Sequence, residues 1–493
     1  MKKTKLISGL LALAMLAGFC AGCTTGSKKN EQVTLKYVMP GPGLQENAKE
    51  VWAAFNEKLH EKMPNLTVEF EIIPLSEYKQ KVMLMLASRE KVDIINNYGL
   101  DFATEVGNRT FAPMNDLIEQ YGKDVVDTLP EWLWDYQKDD GEIYGIPSYQ
   151  MMGQTRGVVF VKEVADKYVD YTAVEQALAK SETFNQEFYD ILTKYCEDVK
   201  ADGLNFKTAD ILNLKGWETV TGSYGYVWSD KPVFKNYTVC EEQELRYKIA
   251  SEWYKKGYIR EDVASATDAA SYKGKADGYL FWDDIHTPYQ EATLSEKYGT
   301  EIKMIPYDVN PSIGFKALAG GTSIASASEY KEEAMQFLNL IQTDKELYNF
   351  LVWGREGIEY TKTGDDRIET PYGSQGTAND GYGLYKWIVG NTSLAYDTQA
   401  DLEGYKQWAF EEVNNSPKIS KLIGFQPDTA DIGDIITQTN AIRGQYYNIL
   451  NQGVMGDEWQ SYYQEYKDKL AIAGDEKVIT ELQRQVDEFL ANK

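Results

Sequence analysis

Apolar and polar residues alternate with two different periods along the first hundred residues of the chain. Residues 33–37 and 66–72 place apolar side chains at every second position, which predicts two β-strands. Between them, residues 48–59 place apolar side chains at helical spacing, and a further helix is predicted over residues 78–86. A short buried strand over residues 92–95 follows. This order of strand and helix predicts an α/β fold with a largely parallel sheet that has helices on both faces.

Two loops follow the first and third predicted strands, over residues 39–43 and 96–101. The first contains a run of alternating proline and glycine, which favours a turn. In open sheets of this kind, ligands bind in the crevice outside the carboxyl ends of the strands. We therefore expect both loops to lie beside a ligand.

The rest of the chain continues the mixture of strands and helices, without an internal repeat or a low-complexity segment. Further strands are predicted over residues 142–149, 158–161, 278–283 and 317–324, and further helices over residues 184–199, 242–253, 334–341 and 438–492, the last in two or three pieces. Thr343, with Glu346 three residues later, indicates a capping box at the start of one more helix. A chain of 493 residues is expected to fold as two or three domains.

The first residues resemble an export signal. Lysines at positions 2, 3 and 5 precede an apolar run over residues 6–19 that is too short to span a membrane as a folded helix. The sequence Cys20-Ala21-Gly22-Cys23 then resembles the lipobox of bacterial lipoproteins, in which the cysteine is acylated, although Cys20 stands where leucine is usual. We expect a signal peptide over residues 1–22, lipidation of Cys23 and a lipid-anchored linker over residues 23–32. The alternative is an ordinary signal peptide and a soluble secreted protein.

Composition limits the kinds of function that are open to the chain. Its 51 basic and 76 acidic residues give a net charge of −25, which disfavours binding to nucleic acid. A histidine-based metal or acid–base site could draw only on His60 and His286. Aromatic residues make up 13% of the chain, and tyrosine alone accounts for more than half of them. Outside the signal region, Cys196 and Cys240 could pair in an exported protein or remain as two buried thiols.

Four segments, in this order, resemble the extracellular solute-binding proteins of ATP-driven sugar importers, the family that includes maltose-binding protein. They are residues 91–98 (KVDIINNY), 142–148 (EIYGIPS), 273–282 (KGKADGYLFW) and 319–346. No single motif is specific, but together they extend over residues 33–360. The resemblance implies a type II periplasmic-binding-protein-like fold, in which two lobes, each a doubly wound sheet, close on a ligand. It places crossovers between the lobes near residues 146–149, near residues 317–321 and near Tyr360.

The C-terminal part resembles a subfamily of longer lipoprotein binders in Gram-positive bacteria, which carry an added helical module. The resemblance rests on residues 353–360 (WGREGIEY), 424–427 (GFQP) and 470–474 (LAIAG). It implies the following division of the chain: residues 33–147 and 320–360 in lobe 1, residues 148–319 and 361–425 in lobe 2, and residues 426–493 in the helical module.

The candidate ligand contacts are aromatic and polar residues, most of them near the ends of predicted strands. A pyranose has an apolar face that packs on Trp or Tyr, and hydroxyl groups that need polar partners. Trp282 is the first candidate for a stacking platform, with Asp283 as a hydroxyl acceptor, and the alternative for Trp282 is a core position. The other candidate ligand-binding residues are Asn97, Tyr98, Asp101, Tyr149, Gln150, Trp217, Trp353 and Arg355. For the first three, the alternative is a surface turn, and for Trp217 it is the core.

These observations predict a lipid-anchored receptor on the extracellular face of the cell membrane. It would capture a carbohydrate, with an oligosaccharide as the expected ligand, and deliver it to the permease subunits of an ABC transporter. We expect a monomer that has no cofactor, no metal site and no catalytic residues. One alternative is an extracellular glycoside hydrolase, which would need two carboxylates facing a sugar cleft. A second is a glycan-tethering lipoprotein that does not pass its ligand to a permease.

Overall fold

The structure is a computed structural model that describes residues 32–209, 211–316, 320–371 and 381–493. The expected signal peptide, the expected lipidation site Cys23 and nearly all of the linker lie outside the described residues. Most of the expected second crossover, near residues 317–321, lies outside them too. Within the described ranges, no helix is long and apolar enough to cross a membrane.

Strands and helices alternate through most of the described chain. The strands are β1 (Val33–Gly41), β2 (Leu66–Pro74), β3 (Ile94–Asn96), β4 (Lys138–Asp139), β5 (Glu142–Ile143), β6 (Ile146–Pro147), β7 (Gly153–Val161), β8 (Trp217–Thr221), β9 (Tyr224–Val227), β10 (Lys235–Asn236), β11 (Phe281–His286), β12 (Ile302–Pro306), β13 (Ser312–Ile313), β14 (Gly321–Ile324), β15 (Thr361–Lys362), β16 (Arg367–Glu369) and β17 (Asp397–Thr398). The α-helices are α1 (Ala48–His60), α2 (Tyr78–Ala87), α3 (Phe102–Gly107), α4 (Asn115–Tyr121), α5 (Lys123–Thr128), α6 (Lys162–Ala165), α7 (Tyr171–Ala179), α8 (Gln186–Ala201), α9 (Glu241–Lys255), α10 (Gln290–Tyr298), α11 (Lys331–Ile341), α12 (Lys345–Trp353), α13 (Lys386–Val389), α14 (Tyr405–Trp408), α15 (Gly433–Asn451), α16 (Trp459–Ala473) and α17 (Asp475–Asn492).

Lobe 1 is built on a five-stranded sheet with the strand order β2-β1-β3-β14-β6. β1 runs parallel to β2 and β3, whereas β14 runs antiparallel to both β3 and β6. β14 therefore begins, at Gly321, at the edge of the sheet where β1, β3 and β6 end. This register confirms that the loops after the first and third strands share one edge.

Helices cover both faces of this sheet. Side chains of α1 and α12, such as Phe55 and Leu351, are buried in the core on one face together with Tyr37 of β1. Side chains of α2, such as Val82, are buried in the core on the other face with Val38 of β1. Neighbouring residues of β1 thus enter opposite cores, as the period of a strand requires.

The chain stays on lobe 1 for longer than expected. The described residues of the segment after α12, 361–371 and 381–396, bury side chains such as Tyr382 in the core of lobe 1. The Leu384 N–H donates to the carbonyl of Val352 in α12 at 2.9 Å. The segment packs here, and not on lobe 2 as expected, because it covers apolar side chains that α12 would otherwise expose. The third crossover accordingly lies beyond this segment and not near Tyr360.

Lobe 2 contains two sheets whose strands pair antiparallel. β7 pairs with β11, β12 and β13, and β8, β9 and β10 form a separate three-stranded sheet. The parallel pairing of a doubly wound sheet is therefore a property of lobe 1, while helices α7 to α10 surround the sheet of lobe 2. Its core includes Trp253, Phe281 and Trp282.

The C-terminal helices α15, α16 and α17 form a module that packs on lobe 2. Val478, Leu482 and Val486 of α17 are buried against the sheet of β8, β9 and β10. Tyr463 and Tyr466 of α16 are buried with Tyr247 of α9. The prediction of two or three terminal helices is confirmed, and their tyrosines pack the module on lobe 2.

The capping box predicted at Thr343 is wrong by one residue. The carboxylate of Asp344 accepts from the Leu347 N–H at 2.9 Å, and the hydroxyl of Thr343 instead donates to the carbonyl of Asn339 at 2.7 Å. Asp is as good an N-cap as Ser or Thr, so the helix begins at the next available cap.

The two cysteines in the described part of the chain are free and buried. Of the two alternatives, the structure therefore has two buried thiols, Cys196 and Cys240. Burial raises the pKa of the Cys240 thiol to about 12, so it stays protonated and unreactive at neutral pH.

Candidate functional site

A cleft of about 900 Å³ lies between lobe 1 and lobe 2. On lobe 1 it is lined by the loop after β3 and the start of α3, residues 97–104, and by the 3₁₀-helix Glu131–Gln137. On the opposite side it is lined by the end of β8 and by Phe315 and Lys316. Residues 424–430, which precede α15, form a further wall. The cleft thus lies at the edge where the strands of lobe 1 end.

Asn97 sits at the base of the lobe 1 side and is only 4% exposed. Its side-chain amide donates to Gln137 Oε1 at 2.6 Å and to Ser323 Oγ at 3.1 Å. Its side-chain oxygen accepts from the Gly321 N–H at 2.6 Å. Asn97 therefore ties together the loop after β3, the 3₁₀-helix and the start of β14.

Glycine is required where this network meets the chain returning from lobe 2. Gly320 has φ +66°, and a Cβ there would lie 2.7 Å from Asn97 Oδ1. A side chain at Gly320 would be strained by its backbone and would also push on the amide of Asn97. The close approach fixes the returning chain against the base of the cleft.

Two more of the predicted residues line the cleft. Asp101 is exposed, and its carboxylate accepts from the Thr104 N–H at 3.0 Å, which caps α3. Tyr98 is half-buried, and its ring meets the edge of Trp387 at 5.1 Å between centroids. Trp387 in turn stacks on Tyr385 at 5.8 Å with an angle of 8° between the rings. A row of partly buried rings therefore continues from the cleft-lining Tyr98 to Trp387 and Tyr385.

A buried carboxylate supports the opposite side. Glu218 of β8 is 8% exposed, and it accepts from the Phe315 N–H at 2.6 Å, from Ser420 Oγ at 2.8 Å and from the hydroxyl of Tyr226. Burial raises the pKa of this carboxyl above its usual value, although its hydrogen bonds oppose the shift. Glu218 thereby joins β8 to Phe315, beside the second crossover, and to Ser420, in the segment that leads to residues 424–430.

Three of the predicted ligand contacts are engaged elsewhere. Trp282 is 0% exposed and meets the edge of Tyr298, so the prediction that it presents a ring face to a ligand is wrong. Trp353 is 1% exposed in the core of lobe 1, and the prediction fails there for the same reason. Arg355 forms a two-point ion pair with Glu359 at 2.7 and 3.0 Å. Asp283 is also largely buried.

Asp283 is held by two partners of its own lobe. Its carboxylate accepts from Arg156 Nε at 2.6 Å and from Asn213 Nδ2 at 3.0 Å. Trp217 begins β8, and its ring packs near Tyr237 at 6.2 Å, four residues before the cleft-lining Thr221. Neither side chain is among those that line the cleft.

Tyr149 and Gln150 lie on the first crossover. The ring of Tyr149 meets Phe410 at 4.9 Å and 69°, and the Gln150 carbonyl accepts from Asn414 Nδ2 at 2.8 Å. Both residues therefore join the first crossover to the segment that leads back to lobe 2. Neither Tyr149 nor Gln150 is among the residues that line the cleft.

Sequence reasoning missed Gln137, Trp387 and the wall formed by residues 424–430. The sequence did contain a signal that could have pointed to the wall, because residues 424–427 carry part of the family resemblance. Gln137 and Trp387 lie in segments without a regular apolar period, and only their tertiary contacts reveal them. Among the described residues, no group of three or more His, Cys, Asp or Glu could hold a metal ion.

The sequence is similar over almost its whole length to a known substrate-binding protein. It is 24% identical over 514 positions to a carbohydrate ABC transporter substrate-binding protein of Streptococcus pneumoniae, an alignment that covers 99% of this chain and 98% of the relative. Residues 421–491 match a family described as a domain of unknown function, DUF3502.

Solved structures share the fold. The N-glycan transport solute binding protein NgtS from Streptococcus pneumoniae superposes with a TM-score of 0.70 at 21% identity, covering 93% of this chain and 99% of NgtS. NgtS in complex with Man5GlcNAc gives a TM-score of 0.54 with the same coverage. An HMO binding ABC-transporter associated solute binding protein from Bifidobacterium longum infantis gives a TM-score of 0.60 at 16% identity, covering 94% of this chain and 99% of that protein. The resemblance to extracellular solute-binding proteins is confirmed, and the chain has their two-lobed type II fold.

Proposed function

We propose that the protein is the substrate-binding component of a carbohydrate ABC transporter and captures an oligosaccharide between its lobes. The observation that carries this proposal is the 900 Å³ cleft at the strand ends of lobe 1, in a chain that matches a carbohydrate-transport relative over almost its whole length. A cleft of this size holds a small oligosaccharide.

The lining of the cleft suits a sugar. Tyr98, Phe102 and Phe315 offer apolar surface for the C–H face of a pyranose, while Asp101 and Gln426 offer polar atoms for its hydroxyls. Asn97 supports the cleft surface and does not itself contact the sugar, because its polar atoms are already bonded to protein partners. The aromatic row of Tyr98, Trp387 and Tyr385 would extend the surface to further sugar units.

Binding is coupled to closure of the lobes. A ligand that touches both lobes stabilises the closed form, because only that form offers both sets of contacts.

The location follows from the first residues of the chain. Export and acylation of Cys23 would hold the protein on the outer face of the cell membrane, with the linker as a tether. There the monomer would deliver its ligand to the permease subunits of the transporter.

A hydrolase is the less favoured function. Two of the acids along the cleft, Asp101 and Asp428, have carboxylates engaged by the backbone of their own turns, at Thr104 and Ala430. A general acid would instead need a carboxyl group that is free to face the sugar, with a partner carboxylate across it. The contacts of these two residues support a binding site.

A thermal-shift and calorimetry screen tests the proposal. The soluble form that lacks residues 1–29 is mixed with Man1GlcNAc, Man5GlcNAc, milk oligosaccharides and kestose, and with peptides as controls. We expect stabilisation by at least one glycan and recovery of that glycan intact. Stabilisation only by peptides would contradict the proposal, and a hydrolysed glycan would favour the enzyme. Loss of uptake of the bound glycan on deletion of the gene would separate transport from tethering.

A further inference from the structure

The C-terminal module contributes a wall to the cleft, in addition to packing on lobe 2. The match to the domain of unknown function begins at residue 421, so it includes the wall, residues 424–430, and all three terminal helices. The wall is irregular backbone that has no strand or helix of its own to hold it. Its position must therefore be fixed by contacts from outside.

Gln485 of α17 supplies the most specific of these contacts. Its side-chain oxygen accepts from the Asp428 N–H at 2.8 Å, and its side-chain amide donates to the Asp428 carbonyl at 2.8 Å. A glutamine side chain can satisfy a backbone donor and a backbone acceptor at once. One residue in the middle of the wall is thus held in both position and orientation.

Two further contacts hold the start of the wall. The ring of Phe425 is buried against Phe489 of α17, at 5.4 Å between centroids. Lys493 Nζ donates to the carbonyl of Ile423 at 3.1 Å and lies 3.2 Å from the carboxylate of Asp135 in lobe 1. The same end of α17 therefore contacts the wall and the 3₁₀-helix that carries Gln137.

The wall also touches lobe 1 directly. Gly424 has φ +86°, and a Cβ there would lie 2.8 Å from the carbonyl oxygen of Asp135. Only glycine combines this backbone conformation with so close an approach. A displaced wall would therefore disturb both sides of the cleft.

We propose that α17 positions the wall of the cleft through Gln485, so that the C-terminal module helps to set the affinity for the ligand. Gln485 is a positioning residue, since it acts through the backbone of Asp428. This inference rests on the proposed carbohydrate-binding function for its ligand, but the geometry of the wall can be tested without one.

The same helix provides a matched control. Gln483 accepts from the Phe234 N–H at 2.9 Å and donates to the Pro232 carbonyl at 3.2 Å, so it makes the same kind of two-point contact with another loop. That loop is not part of the cleft lining. A general effect of loosening α17 would appear in variants of both glutamines.

The test compares Q485M with Q483M, since methionine keeps the approximate volume and removes both hydrogen bonds. Affinity is measured by calorimetry with Man5GlcNAc, or with whichever glycan of the panel binds more tightly. Melting temperatures and amide hydrogen exchange over residues 423–432 and 232–236 are measured alongside. We expect Q485M to weaken binding on the order of threefold to tenfold, whereas Q483M should leave it unchanged.

The outcomes separate the two proposals. Q485M should speed exchange over residues 423–432 only, and Q483M over residues 232–236 only. Q485E puts a carboxylate oxygen against the Asp428 carbonyl and the Glu481 carboxylate, to both of which the Gln485 amide now donates, so it should weaken binding at least as much as Q485M. Unchanged affinity in Q485M, or equal losses in both methionine variants, would overturn the positioning role. If the unaltered protein binds no glycan, the proposed function fails, and unchanged exchange in Q485M would still overturn the inference.

Discussion

The side-chain amide of Asn97 lies 2.6 Å from the side-chain oxygen of Gln137 and joins the loop after β3 to the 3₁₀-helix on the same side of the cleft. Both side chains are almost fully buried. Together with the bond from the Gly321 N–H, this contact makes the base of the cleft a preformed, rigid surface. A ligand then loses little free energy in ordering it.

We expect Asn97→Ala to lower the free energy of unfolding by about 1–3 kcal/mol, because it leaves Gln137 Oε1 and the Gly321 N–H without buried partners. It should also weaken glycan binding. The matched control is Asn349→Ala. Asn349 is buried and makes three comparable bonds, to Lys345, Leu394 and Tyr396, away from the cleft. Urea unfolding should show similar losses for both variants, and calorimetry should show weaker binding for Asn97→Ala alone. Equal glycan affinities in Asn97→Ala and Asn349→Ala would contradict the role of Asn97 in the site.

The sequence was sufficient to predict one of the loops of lobe 1 that line the cleft. An aspartate and two isoleucines ahead of a polar loop, residues 93–101, predict a strand end, and three of the candidates there line the cleft. The same reasoning failed at Trp282, because β11 extends from Phe281 to His286 and Trp282 lies near its buried start. A buried strand residue has the same local sequence pattern as an exposed one. Gln485 and Asp428 are 57 residues apart, and no local pattern relates them.

Asp101 and Asp170 cap two helices in the same way, so together they separate capping from ligand contact. Each carboxylate accepts from a backbone N–H three residues on, at 3.0 Å and 3.2 Å. We expect Asp101→Ala and Asp170→Ala each to lower the free energy of unfolding by roughly 0.5–2 kcal/mol. Only the variant at Asp101 should weaken glycan binding.

The variant Asp101→Asn separates the two effects at one position. Asn is as good a cap as Asp, so its melting temperature should stay close to that of the unaltered protein. Its glycan affinity should fall if the carboxylate accepts a sugar hydroxyl. Unchanged calorimetric affinity would leave Asp101 with the capping role alone.

Trp282 and Trp387 should respond in opposite ways to removal of the ring. Trp282→Ala opens a cavity in the core of lobe 2, and we expect the free energy of unfolding to fall by about 3–5 kcal/mol. Trp387→Ala removes a partly buried ring beside Tyr98 at the edge of the lobe 1 core, so stability should fall by less than in Trp282→Ala. Glycan affinity should fall on the order of fivefold. Urea unfolding and calorimetry on both variants check this pair. An unchanged affinity in Trp387→Ala would remove the aromatic row from the site.

The buried carboxyl of Glu218 makes stability depend on pH. Burial raises its pKa in the folded state above the usual value of 4.5. Between the unfolded and the folded pKa, the folded state holds a proton that the unfolded state has lost. The free energy of unfolding therefore falls as pH rises from about 4.5 through the folded pKa, and it stays at the lower value above that.

The variant Glu218→Gln should abolish this component. The neutral amide can still accept from the Phe315 N–H, and it can donate to the hydroxyl of Tyr226 or Ser420, so the local contacts survive. Urea unfolding should show that the unaltered protein loses stability relative to the variant as pH rises from 4.5 to 8. The exposed Glu403→Gln, which removes a charge away from the core, should show no such trend. Parallel stability curves for the unaltered protein and Glu218→Gln would mean that the carboxyl titrates alike in both states, because its three hydrogen bonds then fully offset its burial.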